Sequence, residues 1–130
     1  MKRISILLIT VLALTSFSCK EKDTTNIKVI TTQEMQSLLK MDQVQLVDVR
    51  TPKEFKSGYI ANAQNIDFLS PTFDQDILKL DKEKPVLLYC HSGGRSAKCA
   101  KKLEDAGFTK IYDLQGGISR WKHQGLTVTE

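Results

Sequence analysis

Cysteine, proline and tryptophan are scarce in this chain of 130 residues, which holds three, three and one of them. No group of Cys, His, Asp or Glu has the spacing of a metal site, so neither a metal nor another cofactor is expected. No long basic run is present beyond the first residues. The formal net charge is +4, and Lys2 and Arg3 supply two of those charges, so removal of the N-terminal segment leaves +2. That balance excludes a nucleic-acid partner. No apolar run is long enough to span a bilayer, which takes roughly 20 residues. Internal repeats and low-complexity segments are absent as well. What is present is ordinary for one globular domain: 41% hydrophobic and 26% charged residues.

The first residues form a targeting segment. "MKR" is a short positive region and Ile4 to Leu14 an apolar one, followed by small and polar residues up to Cys19. "TSFSC" resembles a bacterial lipoprotein box, in which Ser18 precedes a lipid-bearing Cys19; Ser16 and Phe17 depart from it, standing where Leu and a small residue are usual. The alternative is a plain signal peptide with Cys19 incidental. The expected organisation is a lipoprotein signal over residues 1–18, a flexible polar tether over 19–27 and one domain over 28–130. The expected location is the cell envelope, on the periplasmic or outer-membrane face, with the membrane reached through the lipid on Cys19.

From Ile27 onward, short apolar runs alternate with helical patterns. "KVIT", "VQLVDVR", a stretch near Gln64 to Ile66, "KPVLLYC" and "KIYDL" read as strands. "TTQEMQSLLK" reads as a helix whose Thr31 and Glu34 are spaced as a capping box. "TPKEF" reads as a turn or short helix, and further helical segments lie in "SPTFDQDILKL", "SAKCAKKLEDAGF" and "GGISRWKHQG". The alternation predicts an α/β domain with a mostly parallel central sheet flanked by helices on both faces. "KPVLLYC" is apolar at consecutive positions, as a strand covered on both faces requires.

That strand ends in "CHSGGRS", Cys90 to Ser96. Ligands of such sheets bind beyond the carboxyl ends of the strands. Gly93 and Gly94 permit positive φ, so His91, Ser92, Gly93 and Gly94 can turn sharply before a helix begins near Arg95 or Ser96. Successive N–H groups of that turn would converge on the sulfur, together with the positive end of the helix. A thiol held there ionises more readily, and the thiolate is the reactive form. Cys90 is the candidate nucleophile. Arg95 is expected to hold the loop or meet an anionic substrate, and His91 and Ser92 line its mouth. Asp48 and Arg50 end the neighbouring strand, either as a polar brace beside the cysteine loop or as an ordinary ion pair. Trp121 reads as core, His123 as surface, and Gly116-Gly117 as a close backbone approach next to the loop.

The strand, "CHSGGRS" and the following helix together resemble the rhodanese-like domain family. "LVDVRTPKEFKSGYIANAQNI" is similar to that family's N-terminal motif and "GFTKIYDLQGGISRW" to its C-terminal one, so the resemblance covers roughly residues 29 to 127. Tyr59 stands where the family usually has His, and Ala61-Asn62 where it has Pro-Gly. The resemblance implies a sulfurtransferase. Cys90 would take a sulfane sulfur from a donor such as thiosulfate, carry it as a persulfide, and pass it to cyanide or a thiol. It implies a small sulfur-containing anion or a thiol as partner, and a monomer is expected. A cysteine phosphatase is the competing enzyme, but its loop has five residues between Cys and Arg where this chain has four. The competing class is a module that binds persulfide or senses thiols without turnover. Cys99 falls with Leu103 and Ala106 on one helical stripe, which marks it as core filling rather than a disulfide partner of Cys90.

Overall fold

A computed structural model of the chain describes residues 24–130. The expected signal segment, Cys19 and the first part of the tether lie outside the described residues. Five strands form one sheet: β1 (Ile27–Ile30), β2 (Gln45–Asp48), β3 (Gln64–Asn65), β4 (Val86–Tyr89) and β5 (Ile111–Leu114). Their order is β1-β5-β4-β2-β3, and every pairing is parallel. The sheet is thus wholly parallel where the sequence promised only a mostly parallel one. An isolated antiparallel bridge joins Tyr59 to Thr129 outside it. The helices are α1 (Thr32–Leu39), α2 (Pro52–Lys56), α3 (Phe73–Asp76), which runs on into a 3-10 turn at Ile77–Lys79, α4 (Gly94–Asp105) and α5 (Gly117–His123).

The period-two alternation of strand side chains divides the core into two layers. Val47, Val49, Val86, Leu88 and Cys90 face one side, where Phe73, Ile77, Cys99, Ala100 and Leu103 of α3, the 3-10 turn and α4 cover them. Leu46, Leu87 and Tyr89 face the other, against Met35 of α1 and Ile118 and Trp121 of α5. β4 lies at the centre and all four of its residues are buried. This explains its unbroken apolar run: no face is left for a polar side chain.

Local signals set the helix ends. Thr31 and Glu34 form the expected capping box of α1, with the Glu34 N–H donating to Thr31 Oγ1 at 3.2 Å and the Thr31 N–H donating to Glu34 Oε2 at 2.8 Å. Thr51 and Glu54 repeat it at α2. Each such cap is worth about 1 kcal/mol. α4 stops before Gly107, whose φ of +96° reverses the chain and lets its N–H reach Glu104 O at 3.0 Å. The domain's contacts begin before residue 28: the Asn26 N–H donates to Glu104 Oε2 at 2.6 Å, and β1 starts at Ile27.

Candidate active site

Cys90 follows the last residue of the central strand, and α4 begins four residues later. The turn between them is made by Gly93, whose φ of +122° is open to glycine and strained for other residues. Gly94 does not share this conformation; it is the first residue of α4, so the helix starts slightly earlier than the sequence suggested. The turn carries the Gly93 N–H back to Cys90 Sγ at 3.0 Å. The first turn of α4 brings Ser96, which is fully buried, to the same sulfur, with Oγ at 3.4 Å.

These contacts set the thiol's acidity. Burial pushes Cys90 up. Hydrogen bonds from the Ser96 hydroxyl and from the backbone N–H groups of Ser96, Gly93 and Ser92 outweigh that, and the net shift is downward from the ordinary thiol value. Cys90 itself is only 1% exposed. His91, Ser92 and Gly94 are exposed around it, so the mouth of the loop is formed by its neighbours rather than by the cysteine.

α5 holds the loop from beneath. The N–H of Ile118 donates to Cys90 O at 2.9 Å, and that of Ser119 to His91 O at 3.0 Å. A Cβ on Gly117 would lie 2.5 Å from both of those carbonyl oxygens, so this residue has to be glycine for α5 to come so close. Beside Ser92, a groove of ≈ 320 Å³ is lined by Gly116, Ser119, Arg120 and His123. His123 is exposed as expected, but it stands together with Arg120 next to the loop mouth.

Arg95 is engaged with a partner the sequence reading did not single out. Its two terminal nitrogens donate to the two carboxylate oxygens of Glu54 at 2.7 and 2.9 Å. Glu54 also accepts from Thr51 Oγ1 at 3.1 Å, so the α2 cap and the cysteine loop share one carboxylate. The Arg95 guanidinium, helped by Thr51, lowers Glu54 to about 2. Arg95 thereby ties the first turn of α4 to α2.

Asp48 and Arg50 form a buried ion pair at 2.6 Å. Asp48 lies opposite Tyr89 in the strand register, on the sheet face away from Cys90. Arg50 also donates to Gly58 O at 2.7 Å, and the Tyr89 hydroxyl accepts the Ile60 N–H at 3.0 Å. The pair therefore braces the segment around Gly58 to Ile60. Among the described residues the pair makes no hydrogen bond to the cysteine loop; of the two readings offered for these residues, the ion pair is the one on view.

Two contributors went unread. Glu54 was hidden because its capping role already accounts for it locally, and its contact with Arg95 spans 41 residues of sequence. Ser96 was read as a helix start; that a first-turn side chain points back into the loop follows only from where α4 begins. Cys90 and Cys99 are both free thiols, in line with core filling for Cys99. No group of residues suited to a metal ion is found among the described residues.

Similarity to known proteins agrees with this geometry. The chain is 36% identical over 95 residues to thiosulfate sulfurtransferase GlpE of Coxiella burnetii, covering 73% of this chain and 87% of that protein. It is 40% identical over 79 residues to the Bacillus subtilis protein YqhL, and that match spans 61% of either chain. The crystal structure of a rhodanese-like domain protein from Staphylococcus aureus superposes with a TM-score of 0.67 at 36% identity, covering 79% of this chain and 99% of that one. The model of the rhodanese-like domain matches residues 31–124, and the chain belongs to that family.

Proposed function

We propose that this protein is a sulfurtransferase that carries sulfane sulfur on Cys90. The observation behind this is the sulfur atom itself, which lies under the N–H of Gly93 and beside the hydroxyl of Ser96, with its acidity raised despite burial. With thiosulfate as donor, the thiolate attacks the outer sulfur. A new S–S bond forms at Cys90, the S–S bond of thiosulfate breaks, and sulfite leaves with the electron pair. An acceptor such as cyanide then attacks the outer sulfur of the persulfide; thiocyanate departs and the thiolate returns. The persulfide anion needs several N–H donors around it, and the loop amides supply them. Arg95, tied to Glu54, keeps the loop in shape. Arg120 and His123 line the approach beside Ser92, where an anionic donor would arrive. Four residues between Cys90 and Arg95 make a tighter ring than a phosphate-binding loop, which supports sulfur over phosphoryl transfer.

Mass spectrometry of the protein with and without thiosulfate tests the intermediate: one added sulfur on the Cys90 peptide is expected. Thiocyanate formation from thiosulfate and cyanide tests turnover. Added sulfur without turnover would favour a binding or thiol-sensing module, and no added sulfur would defeat the proposal.

The lipid anchor on Cys19 is part of the same reading and rests on the leader pattern alone. Cys19→Ala should release the protein from membranes and change its electrophoretic mobility. Continued membrane association at unchanged mobility would remove the anchor from the proposal.

A further inference from the structure

Of the three arginines among the described residues, two are already engaged: Arg50 by Asp48 and Arg95 by Glu54. The third, Arg120, makes no ion pair among the described residues. It is exposed, and together with Gly116, Ser119 and His123 it borders the groove of ≈ 320 Å³ beside Ser92. No carboxylate lines that groove. A guanidinium, an imidazole and two serine hydroxyls do, and each of them can donate a hydrogen bond.

Gly116 makes room for the arginine. Its φ is +77°, and a Cβ there would lie 2.7 Å from Arg120 Nε and 2.8 Å from Arg120 Cβ. The arginine stem therefore lies against the bare Cα of Gly116, where the chain passes from β5 into α5. The neighbouring Ser119 N–H donates to His91 O at 3.0 Å and fixes this stretch of α5 to the cysteine loop. The guanidinium and the loop that carries Cys90 are thus held by the same turn of helix. Lys122 also stands in the last turn of α5 but does not line the groove. A positive charge for the end of α5 is therefore supplied without Arg120.

We propose that Arg120 is a specificity-determining residue: with His123 it forms an oxyanion subsite at the mouth of the cysteine loop, and this subsite selects small sulfur compounds that carry an oxyanion group over uncharged ones. A guanidinium presents paired N–H groups to two oxygens of such a group. Arg120 touches the charged end of the donor and takes no part in making or breaking bonds to sulfur. The groove reaches the lower end of the range for small-molecule pockets, about 300 Å³, so it admits an organic anion as well as thiosulfate. This inference rests on Cys90 being the reactive thiol of the proposed function. Its first test reads alkylation at Cys90 rather than sulfur transfer, so the two can fail separately.

The experiment compares alkylation of Cys90 by iodoacetate and by iodoacetamide in the purified protein, resolved by peptide. Both reagents lose iodide to the same thiolate; one carries a carboxylate and the other a neutral amide. A change in thiol acidity moves both rates together and cancels in their ratio. Arg120→Gln should lower the iodoacetate-to-iodoacetamide ratio roughly three- to tenfold. Arg120→Lys, which keeps the charge, should restore most of it. In turnover, Arg120→Gln should raise the KM for thiosulfate by a similar factor and change kcat less. An arginine that served only the helix would move the unfolding temperature and leave the ratio at its wild-type value, which would overturn the proposal. So would an equal fall in both rates, or a lower ratio with an unaltered KM for thiosulfate. Should the wild type take up no sulfur from thiosulfate, the proposed function fails, and the ratio still decides whether the oxyanion subsite exists. Should Arg120→Gln fold poorly, the wild-type ratio is read against ionic strength instead: it should fall as salt is added, and a ratio indifferent to salt would overturn the proposal.

Discussion

Cys90 and Cys99 belong to the same buried cluster, 1% and 0% exposed, on the same face of the same sheet. Burial acts alike on both, raising the pKa of each thiol. For Cys99 only Lys102 opposes it, and burial with the nearby Asp113 carries the thiol up to about 12. For Cys90 the N–H groups of the loop and the Ser96 hydroxyl reverse the sign. The opposite shifts of the two thiols are thus set by hydrogen-bond donors rather than by exposure. Cys99 sits inside a regular helix, where backbone N–H groups are already spent on the helix's own carbonyls. Cys90 sits where a strand stops and a helix has not yet begun, and the free N–H groups there converge on it.

The sharpest way to break this contrast is to exchange the roles. Cys90→Ser should lower thiosulfate-to-cyanide sulfur transfer by about 10³-fold or more, with the circular dichroism spectrum unchanged. Retained activity would move the nucleophile elsewhere. A nearly comparable effect is expected in the reactivity of the unmodified protein. With Cys99 carried up to about 12 and Cys90 lowered from the ordinary thiol value, alkylation at neutral pH should strongly favour Cys90, each unit between the two thiols counting about tenfold. Equal labelling of the two peptides in folded protein would show that the loop donors do not act on Cys90 as described. A cross-linked Cys90–Cys99 peptide would show that the two can meet, against the core-filling reading.

Arg95→Ala should lower turnover by roughly tenfold, the scale of one lost charge-assisted hydrogen bond, while the Cys90 peptide still takes up sulfur. The pair has a stated pH window. Glu54 is lowered in the folded state, so its contribution is present above the unfolded value near 4.5 and is lost only as the pH falls through about 2. Activity at mildly acidic pH should therefore not report on this pair; a wild-type titration that matched the Arg95→Ala loss above pH 4.5 would contradict the assignment. The smallest effect is reserved for the other thiol. Cys99→Ala should leave sulfur transfer unchanged and cost about 1 kcal/mol in chemical denaturation, for a side chain losing one buried sulfur. Loss of activity in this variant would make the two thiols functionally equivalent and end the comparison.

Much of the architecture was legible in local sequence. The apolar run Val86–Tyr89 named the central strand, Thr31 with Glu34 named a helix start, and Gly107 a helix end, because each is decided by contacts within a few residues. "CHSGGRS" named the thiol and its turn for the same reason: Cys90, Gly93 and the start of α4 lie within five residues. The Asp48–Arg50 pair was legible as a pair, but not as to what it serves. Its orientation depends on which face of the sheet Asp48 takes, and in the register with Tyr89 that is the face away from Cys90.

By itself, then, the sequence determined the α/β order of elements, the site of the sharp turn and the residue most suited to nucleophilic chemistry, since strand runs, caps and glycine turns are short-range properties. Only the tertiary structure decided which donors reach that residue's sulfur, that Glu54 from α2 holds Arg95 across 41 positions, and that Gly117 must lack a side chain for α5 to support the loop. These are contacts between elements whose distance along the chain bears no relation to their distance in space, and they exist only once β4 has β5 and β2 on its two sides and helices on its two faces.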